Sequence, residues 1–167
     1  GWISGTSIME LFAGGIIPSR GKDYRIKAMR YKLVNGKRAF EVIYGPDSPY
    51  FNGYSYVDVL SEKVVGAFLD STYEVYRRQI GDEFSKTVPA VFTDEPNYMT
   101  FTSRQQATVP WTDELPDHFK KRYGYDISNH LSCLFFNEKD YKKVRCDFWN
   151  LVADMFLQAY SQKIYNW

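Results

Sequence analysis

Two stretches with the composition of β-strands lie on either side of an Asn-Gly pair in the first third of the chain. Residues 24–34 and 37–44 carry Tyr, Ile, Val and Phe among basic residues, and Asn35 and Gly36 separate them. Asn and Gly accept the positive φ angles that a type I′ turn requires at both central positions. The pattern therefore predicts a β-hairpin over about 24–44.

A strand, a helix and a second strand are predicted after the hairpin. Residues 54–60 form a largely apolar run, and Ser61 is a suitable N-cap for a helix over 62–79, in which apolar positions recur every three or four residues. Residues 87–93 form a second apolar run. The length of the connection suits two parallel strands in a β-α-β unit.

The last third of the chain has a helical period throughout. It predicts helices at about 116–123 and 126–136, and a long helix from about 138 to the end. This last pattern continues to Trp167 without a Gly or Pro terminator, and the chain begins at Gly1 rather than at Met. We therefore expect the chain to be a fragment of a larger protein.

Composition and charge exclude several classes of partner. The 21 Lys and Arg residues nearly balance the 20 Asp and Glu residues, so the net charge of +1 creates no field that would collect nucleic acid or an anionic membrane surface. No apolar run approaches the roughly 18 residues of a membrane span. The two cysteines, Cys133 and Cys146, lack the short paired spacing of zinc ligands. We expect neither nucleic acid nor a membrane as partner.

Two adjacent carboxylates follow the apolar run at 87–93. Asp94 and Glu95 end the predicted strand, and Pro96 comes directly after them. Active sites of parallel α/β proteins lie at the carboxyl ends of the strands. Glu95 is the better proton donor of the two, because burial beside aromatic residues such as Tyr98 would raise its pKa. The alternative is an ordinary strand end with polar residues and no function.

The sequence around these acids resembles a known group of enzymes. The run Phe92-Thr93-Asp94-Glu95-Pro96 resembles the Asn-Glu-Pro motif of barrel glycoside hydrolases, with Asp94 in the place of the Asn. The wider pattern over roughly residues 50–167 resembles large bacterial glycosidases of the family 106 α-L-rhamnosidase group and, more distantly, the family 2 and 42 β-galactosidases. The stretches that carry this resemblance are 56–61, 92–96, 109–112, 115–116 and 119–126.

The resemblance implies both a fold and an activity. The fold would be α/β, part of a (β/α)8 TIM barrel with an inserted hairpin and a long C-terminal helix. The activity would be hydrolysis of O-glycosidic bonds in plant or microbial oligosaccharides, with Glu95 as general acid/base and Asp94 in contact with substrate or metal. Family 106 enzymes use calcium, although the sequence itself contains no calcium-binding loop; no other cofactor is expected.

Further candidates follow from this interpretation. Glycoside hydrolysis uses two carboxylates, and Asp58 would lie on the same rim, at the end of the preceding strand; alternatively, it caps the helix after Ser61. Tyr98 and Trp111, the latter expected in a loop between Pro110 and Thr112, could stack on sugar rings, because sugar C–H groups pack on aromatic faces.

Two other functions stay open at this point. The chain could be a non-catalytic carbohydrate-binding or scaffold domain, or a metal-dependent hydrolase that uses Asp94 and Glu95 as ligands. Part of a barrel would have open sheet edges and an exposed apolar face, so we expect the fragment to self-associate and to be inactive alone.

Overall fold

The computed structural model describes residues 22–51, 53–93, 96–98 and 107–167, which form a mixed α/β arrangement. The strands are β1 (Lys27–Val34), β2 (Lys37–Tyr44) and β3 (Thr108–Trp111). The helices are α1 (Glu62–Ser71), α2 (Tyr73–Ile80), α3 (Leu115–Tyr123), α4 (Leu131–Phe135), α5 (Tyr141–Phe156) and α6 (Lys163–Asn166). A π-helical segment, Leu157–Gln162, joins α5 to α6.

The predicted β-hairpin is confirmed. Strands β1 and β2 pair antiparallel from Lys27 opposite Tyr44 to Val34 opposite Lys37. Asn35 and Gly36 form the turn with φ angles of 52° and 74°, as a type I′ turn requires.

The sheet differs from the parallel arrangement that the sequence predicted. Strand β3 pairs antiparallel with the other edge of β1, so the described sheet has the order β2-β1-β3. Trp111 lies opposite Lys27 in this pairing, and the expectation that Trp111 belongs to a loop is wrong. Strand β1, the partner of β3, is far away in the sequence, and no local sequence pattern predicts such a pairing.

Neither predicted strand of the β-α-β unit forms. In the run 54–60 only Tyr54 and Val57 make single antiparallel bridges, and in 87–93 only Val88 makes a bridge, to Phe84. Residues 55–60 are nonetheless buried, whereas Phe92 is 64% exposed. An apolar run predicts burial or strand formation only where other elements cover it, and no described strand lies beside Phe92.

The helix predicted over 62–79 is interrupted at Thr72. Ser61 occupies the predicted N-cap position, although its side chain makes no capping hydrogen bond, and Gly81 follows the last turn. The hydroxyl groups of Ser71 and Thr72 donate hydrogen bonds to the carbonyl oxygens of Ala67 and Phe68, both at 2.6 Å. Such bonds from a side chain to the preceding turn bend helices, which accounts for the break between α1 and α2.

The C-terminal helices agree with the predicted period. Helix α3 matches the prediction closely, and the long last helix begins at Tyr141 and runs through the π-helical segment to Asn166. The region 126–136 divides into a 3-10 turn, Ile127–His130, followed by α4. None of the helices in the described ranges is long and apolar enough to cross a lipid bilayer.

The last helix joins two apolar clusters. One cluster lies between the sheet and helices α3 to α5 and includes Trp111, Phe119 and Phe148. The other lies where Tyr160 meets residues 56–65, including Tyr56 and Val64. Strand β1 contributes Met29 to the first cluster, while Ile26, directly before β1, belongs to the second.

Candidate functional site

Asp94 and Glu95 lie outside the described residues, but the structure describes the chain on both sides of them. The hydroxyl groups of Thr93 and Tyr160 form a hydrogen bond with each other. On the other side, the backbone N–H of Asn97 donates to Oη of Tyr56 at 3.3 Å. The chain before Asp94 and the chain after Glu95 are therefore each bound by a tyrosine, and the two tyrosines come from different parts of the fold.

The neutral hydroxyl groups of Tyr56 and Tyr160 are suited to these hydrogen bonds. Both tyrosines are almost fully buried. Burial raises the pKa of Tyr56 to about 12 and also raises the pKa of Tyr160. The phenols consequently stay protonated over the range in which most enzymes work.

Tyr98 lies close to this region and packs inward. Its ring is half-buried and meets the ring of Phe156 edge-on, with 5.3 Å between the centroids and 63° between the planes. This is the geometry that aromatic pairs prefer. The contact attaches the chain after Pro96 to the end of α5.

The Asp58 carboxyl group is buried between three parts of the fold. Its side chain is 1% exposed, and Oδ1 accepts a hydrogen bond from the backbone N–H of Leu60 at 3.1 Å. This bond closes the turn before α1. Asp58 therefore stabilises the turn that leads into the helix, and this bond does not go to an N–H group of the helix itself. Its other oxygen, Oδ2, makes no hydrogen bond to any of the described residues.

Lys27 brings a positive charge to Asp58. Its Nζ lies 3.6 Å from Oδ2 of Asp58 and 2.9 Å from Oδ2 of Asp113, and it donates to the carbonyl oxygen of Asp23 at 3.0 Å. Burial nevertheless dominates at Asp58 and raises the pKa of this carboxyl group to about 6, although Thr112 and Lys27 oppose the rise.

Glu114 is the third carboxylate of this cluster, after Asp58 and Asp113. Oε1 accepts a hydrogen bond from the hydroxyl group of Ser61 at 3.0 Å, and Oε2 accepts one from the hydroxyl group of Thr112 at 2.7 Å. Burial pushes the pKa of Glu114 upward, but hydrogen bonds from Thr112, from its own backbone N–H and from Ser61, together with the charge of Lys27, hold the pKa below its ordinary value. Asp58 and Glu114 thus differ in the direction of their pKa shifts within one cluster.

The sequence did not point to Lys27 or Glu114. A lysine in a strand usually faces solvent, and a glutamate at the start of a helix is normally explained by the helix dipole. A signal for Lys27 was the alternation of side chains between the two faces of β1, which places Lys27 on the same face as Met29. The hydroxyl group of Ser61 also serves Glu114 instead of capping α1.

Trp111 is part of the core. Its side chain is 5% exposed and belongs to the apolar cluster under the sheet. Stacking of Trp111 on a sugar stays a prediction that would need this ring to become accessible.

The carboxylates of the described cluster do not fit a calcium ion. The ammonium group of Lys27 lies within ion-pair distance of both Asp58 and Asp113, where a divalent cation would meet its positive charge. In the described part of the chain, no three His, Cys, Asp or Glu side chains are arranged to hold a metal ion.

Comparison with known proteins assigns the chain to a class. Its sequence matches the family model of glycoside hydrolase family 106, described as alpha-L-rhamnosidase, over residues 36–166. The matched range covers most of the chain, so this is a glycoside hydrolase domain, and it belongs to family 106. The resemblance seen over roughly residues 50–167 is thereby confirmed. No significant match was found among curated proteins or among solved structures.

Proposed function

We propose that this chain carries the general acid/base of an enzyme that hydrolyses α-L-rhamnosides, and that Glu95 is this residue. The observation that carries the proposal is the family match over residues 36–166, a range that includes both Asp94 and Glu95. A glycosidase of the usual kind needs a carboxylic acid that protonates the leaving oxygen and a second carboxylate that acts on the anomeric carbon or on water.

The described neighbours of Glu95 support its role as proton donor. A general acid must stay within hydrogen-bond reach of the leaving oxygen throughout the reaction. Tyr160 binds the chain at Thr93, directly before the acidic pair, and Tyr56 binds it at Asn97, two residues after the pair. These two hydrogen bonds attach Thr93 and Asn97 to the rest of the fold.

The roles of the other candidates follow from this proposal. Asp94, next to the acid, would contact a hydroxyl group of the sugar, and Tyr98 would border the same position. Asp58 as the second carboxylate stays a prediction; its carboxyl group is buried beside Lys27. Its raised pKa would suit an acid better than a nucleophile.

The test is Glu95→Gln in the active enzyme that contains this chain. With methyl α-L-rhamnopyranoside as substrate, whose methanol leaving group must be protonated as it departs, we expect kcat to fall by about 10²- to 10⁴-fold, the usual contribution of a general acid or base. Asp82→Asn, which removes an exposed carboxylate from the 3-10 turn Gly81–Glu83, should leave kcat unchanged. A Glu95→Gln enzyme that folds and turns over like the wild type would refute the assignment.

We further propose that the chain is part of a (β/α)8 barrel whose other strands cover residues 88–92. This apolar segment has the composition of a strand, and both Val91 and Phe92 are exposed in the structure. A strand without neighbours presents both apolar side chains and free backbone groups. Self-association of the 167-residue chain would follow from the same surface.

A further inference from the structure

A cavity of about 250 Å³ lies between the first turns of α1 and α3 and the end of α5. The π-helical segment supplies part of its wall through Gln158 and Ala159. Segments of π-helix occur mostly as local insertions and are frequent at functional sites. Neither the family match nor the proposed role of Glu95 assigns a function to this cavity.

The polar side of the cavity can both donate and accept hydrogen bonds. Glu114 is fixed by the hydroxyl groups of Ser61 and Thr112, and each of its carboxylate oxygens can accept a further bond. Gln158 offers an amide that donates and accepts, and Lys63 and His118 add further polar groups to the lining. The site therefore matches a ligand that carries several hydroxyl groups.

The remaining lining is apolar. Leu60, Met155 and Ala159 are almost fully buried and contribute to the wall. A sugar ring has hydroxyl groups along its edge and C–H groups on its faces, so a cavity with both kinds of lining complements it. Hydroxyl groups can then bond to Glu114 and Gln158 while a C–H face lies on the apolar side chains.

Charge and size narrow the ligand further. Glu62 and Glu114 outweigh Lys63 in the lining, which disfavours an anion. Pockets for drug-sized ligands measure about 300–1,000 Å³, so a cavity of about 250 Å³ suits a single ring. A metal ion does not explain the lining, because no described cluster of acids and histidines is arranged to hold one.

We propose that this cavity binds one neutral sugar ring, with Glu114 and Gln158 as hydrogen-bonding residues and Met155 against the ring. The inference rests on the proposed glycosidase function, which supplies the class of ligand. Glu114 and Gln158 are binding residues in this proposal and take no part in proton transfer.

The direct test uses the methyl groups of methionine in the 167-residue chain. The ¹³C-labelled protein is titrated with L-rhamnose, and Met155→Leu identifies the signal of Met155. We expect this signal to shift with a Kd of about 1–10 mM, the range for a weakly bound ligand of this size. Met29 is buried in the core and does not line the cavity, so its signal should stay in place.

Paired glutamine variants test the contact itself. Both Gln158 and Gln162 are exposed and lie on the π-helical segment, but only Gln158 lines the cavity. Gln158→Ala should raise the Kd about three- to tenfold, the loss of one hydrogen bond, and Gln162→Ala should not. Sodium glucuronate, an anionic sugar, should bind more weakly than L-rhamnose. No shift of Met155 at about 100 mM of L-rhamnose or D-glucose, or equal effects of both glutamine variants, would overturn the proposal.

Failure of this inference can be told apart from failure of the proposed catalytic role. If rhamnose leaves Met155 unaffected while Glu95→Gln abolishes hydrolysis, the cavity assignment alone is wrong. If Met155 responds to rhamnose and Glu95→Gln retains full turnover, the sugar site stands and the role of Glu95 is wrong.

Discussion

The ammonium group of Lys27 lies 3.6 Å from the carboxylate of Asp58, and both side chains are 1% exposed. This ion pair joins strand β1 to the turn before α1. Because Lys27 also binds Asp113, two residues before α3 begins, one buried charge holds the sheet to the starts of two helices.

Removal of Lys27 should strongly destabilise the chain. In Lys27→Met, the carboxyl group of Asp58 is left buried without its counter-charge, and we expect a loss of about 3–5 kcal/mol in the free energy of unfolding. Urea denaturation at pH 7 measures this loss of free energy. Lys32→Met, on the same strand but half exposed, should change the free energy by about 1 kcal/mol or less.

The double variant Lys27→Met/Asp58→Asn should recover part of this loss, because the asparagine side chain would carry no charge and could still accept from the N–H of Leu60. Additive losses in the double variant would show that the two groups are not coupled.

The stability of the wild type relative to Asp58→Asn should depend on pH. The pKa of Asp58 is raised from 3.8 to about 6 in the folded state, so the folded protein holds this proton more tightly than the unfolded chain. The wild type is thus favoured below about pH 4 and loses this advantage as the pH rises to about 6.

Between about pH 4 and 7, Asp58→Asn should gain about 1–3 kcal/mol relative to the wild type, measured by urea denaturation at both values. Asp113→Asn removes the exposed carboxylate next to the same lysine and should show a smaller change. A difference between wild type and Asp58→Asn that is constant with pH would contradict the raised pKa.

The hairpin turn should tolerate only residues that accept a positive φ. Gly36 has a φ of 74° with nothing near its missing Cβ, so Gly36→Ala should cost about 1–2 kcal/mol through backbone strain alone. Gly66→Ala is the matched control: it lies inside α1, where alanine is favoured, and meets only the flexible end of Lys163. Thermal denaturation of Gly36→Ala and Gly66→Ala measures the change in stability of each variant. Equal losses of stability in the two variants would argue against the turn geometry.

Tyr160 should affect turnover without taking part in the chemistry. Tyr160→Phe removes the hydroxyl group that binds Thr93, and we expect kcat for the rhamnoside to fall about tenfold, because small misplacement of a catalytic group is costly. The KM should change little, and the pH at which kcat is maximal should shift, because Glu95, two residues after Thr93, would be displaced. Tyr165→Phe, at an 89% exposed position, is the control. Wild-type kcat in Tyr160→Phe would exclude this positioning role.

The isolated chain should self-associate through the exposed segment that contains Val91 and Phe92. Sedimentation velocity should show dimers or larger species, and Phe92→Glu should shift them towards monomer, because a charge opposes burial of this surface. Asn137→Glu adds the same charge at another exposed position and should have no such effect. A wild-type monomer at all concentrations tested would contradict this expectation.

Local sequence was sufficient for the elements whose geometry depends on near neighbours. The turn at Asn35 and Gly36 and the period of helix α3 were both predictable, because backbone conformation and one-sided burial are encoded within a few residues. The acidic pair at 94–95 was likewise visible as a motif, and the family match over residues 36–166 agrees with the resemblance that it suggested.

Tertiary structure alone decided the pairing of β1 with β3 and the surroundings of Asp58. The pairing sets Lys27 opposite Trp111, and the same fold brings Glu114 to Ser61. These contacts join residues more than fifty positions apart, and their energy depends on burial and on partners that the local sequence does not specify. The sequence therefore determined where turns and helices form, while the packing of the chain determined which charges became buried together.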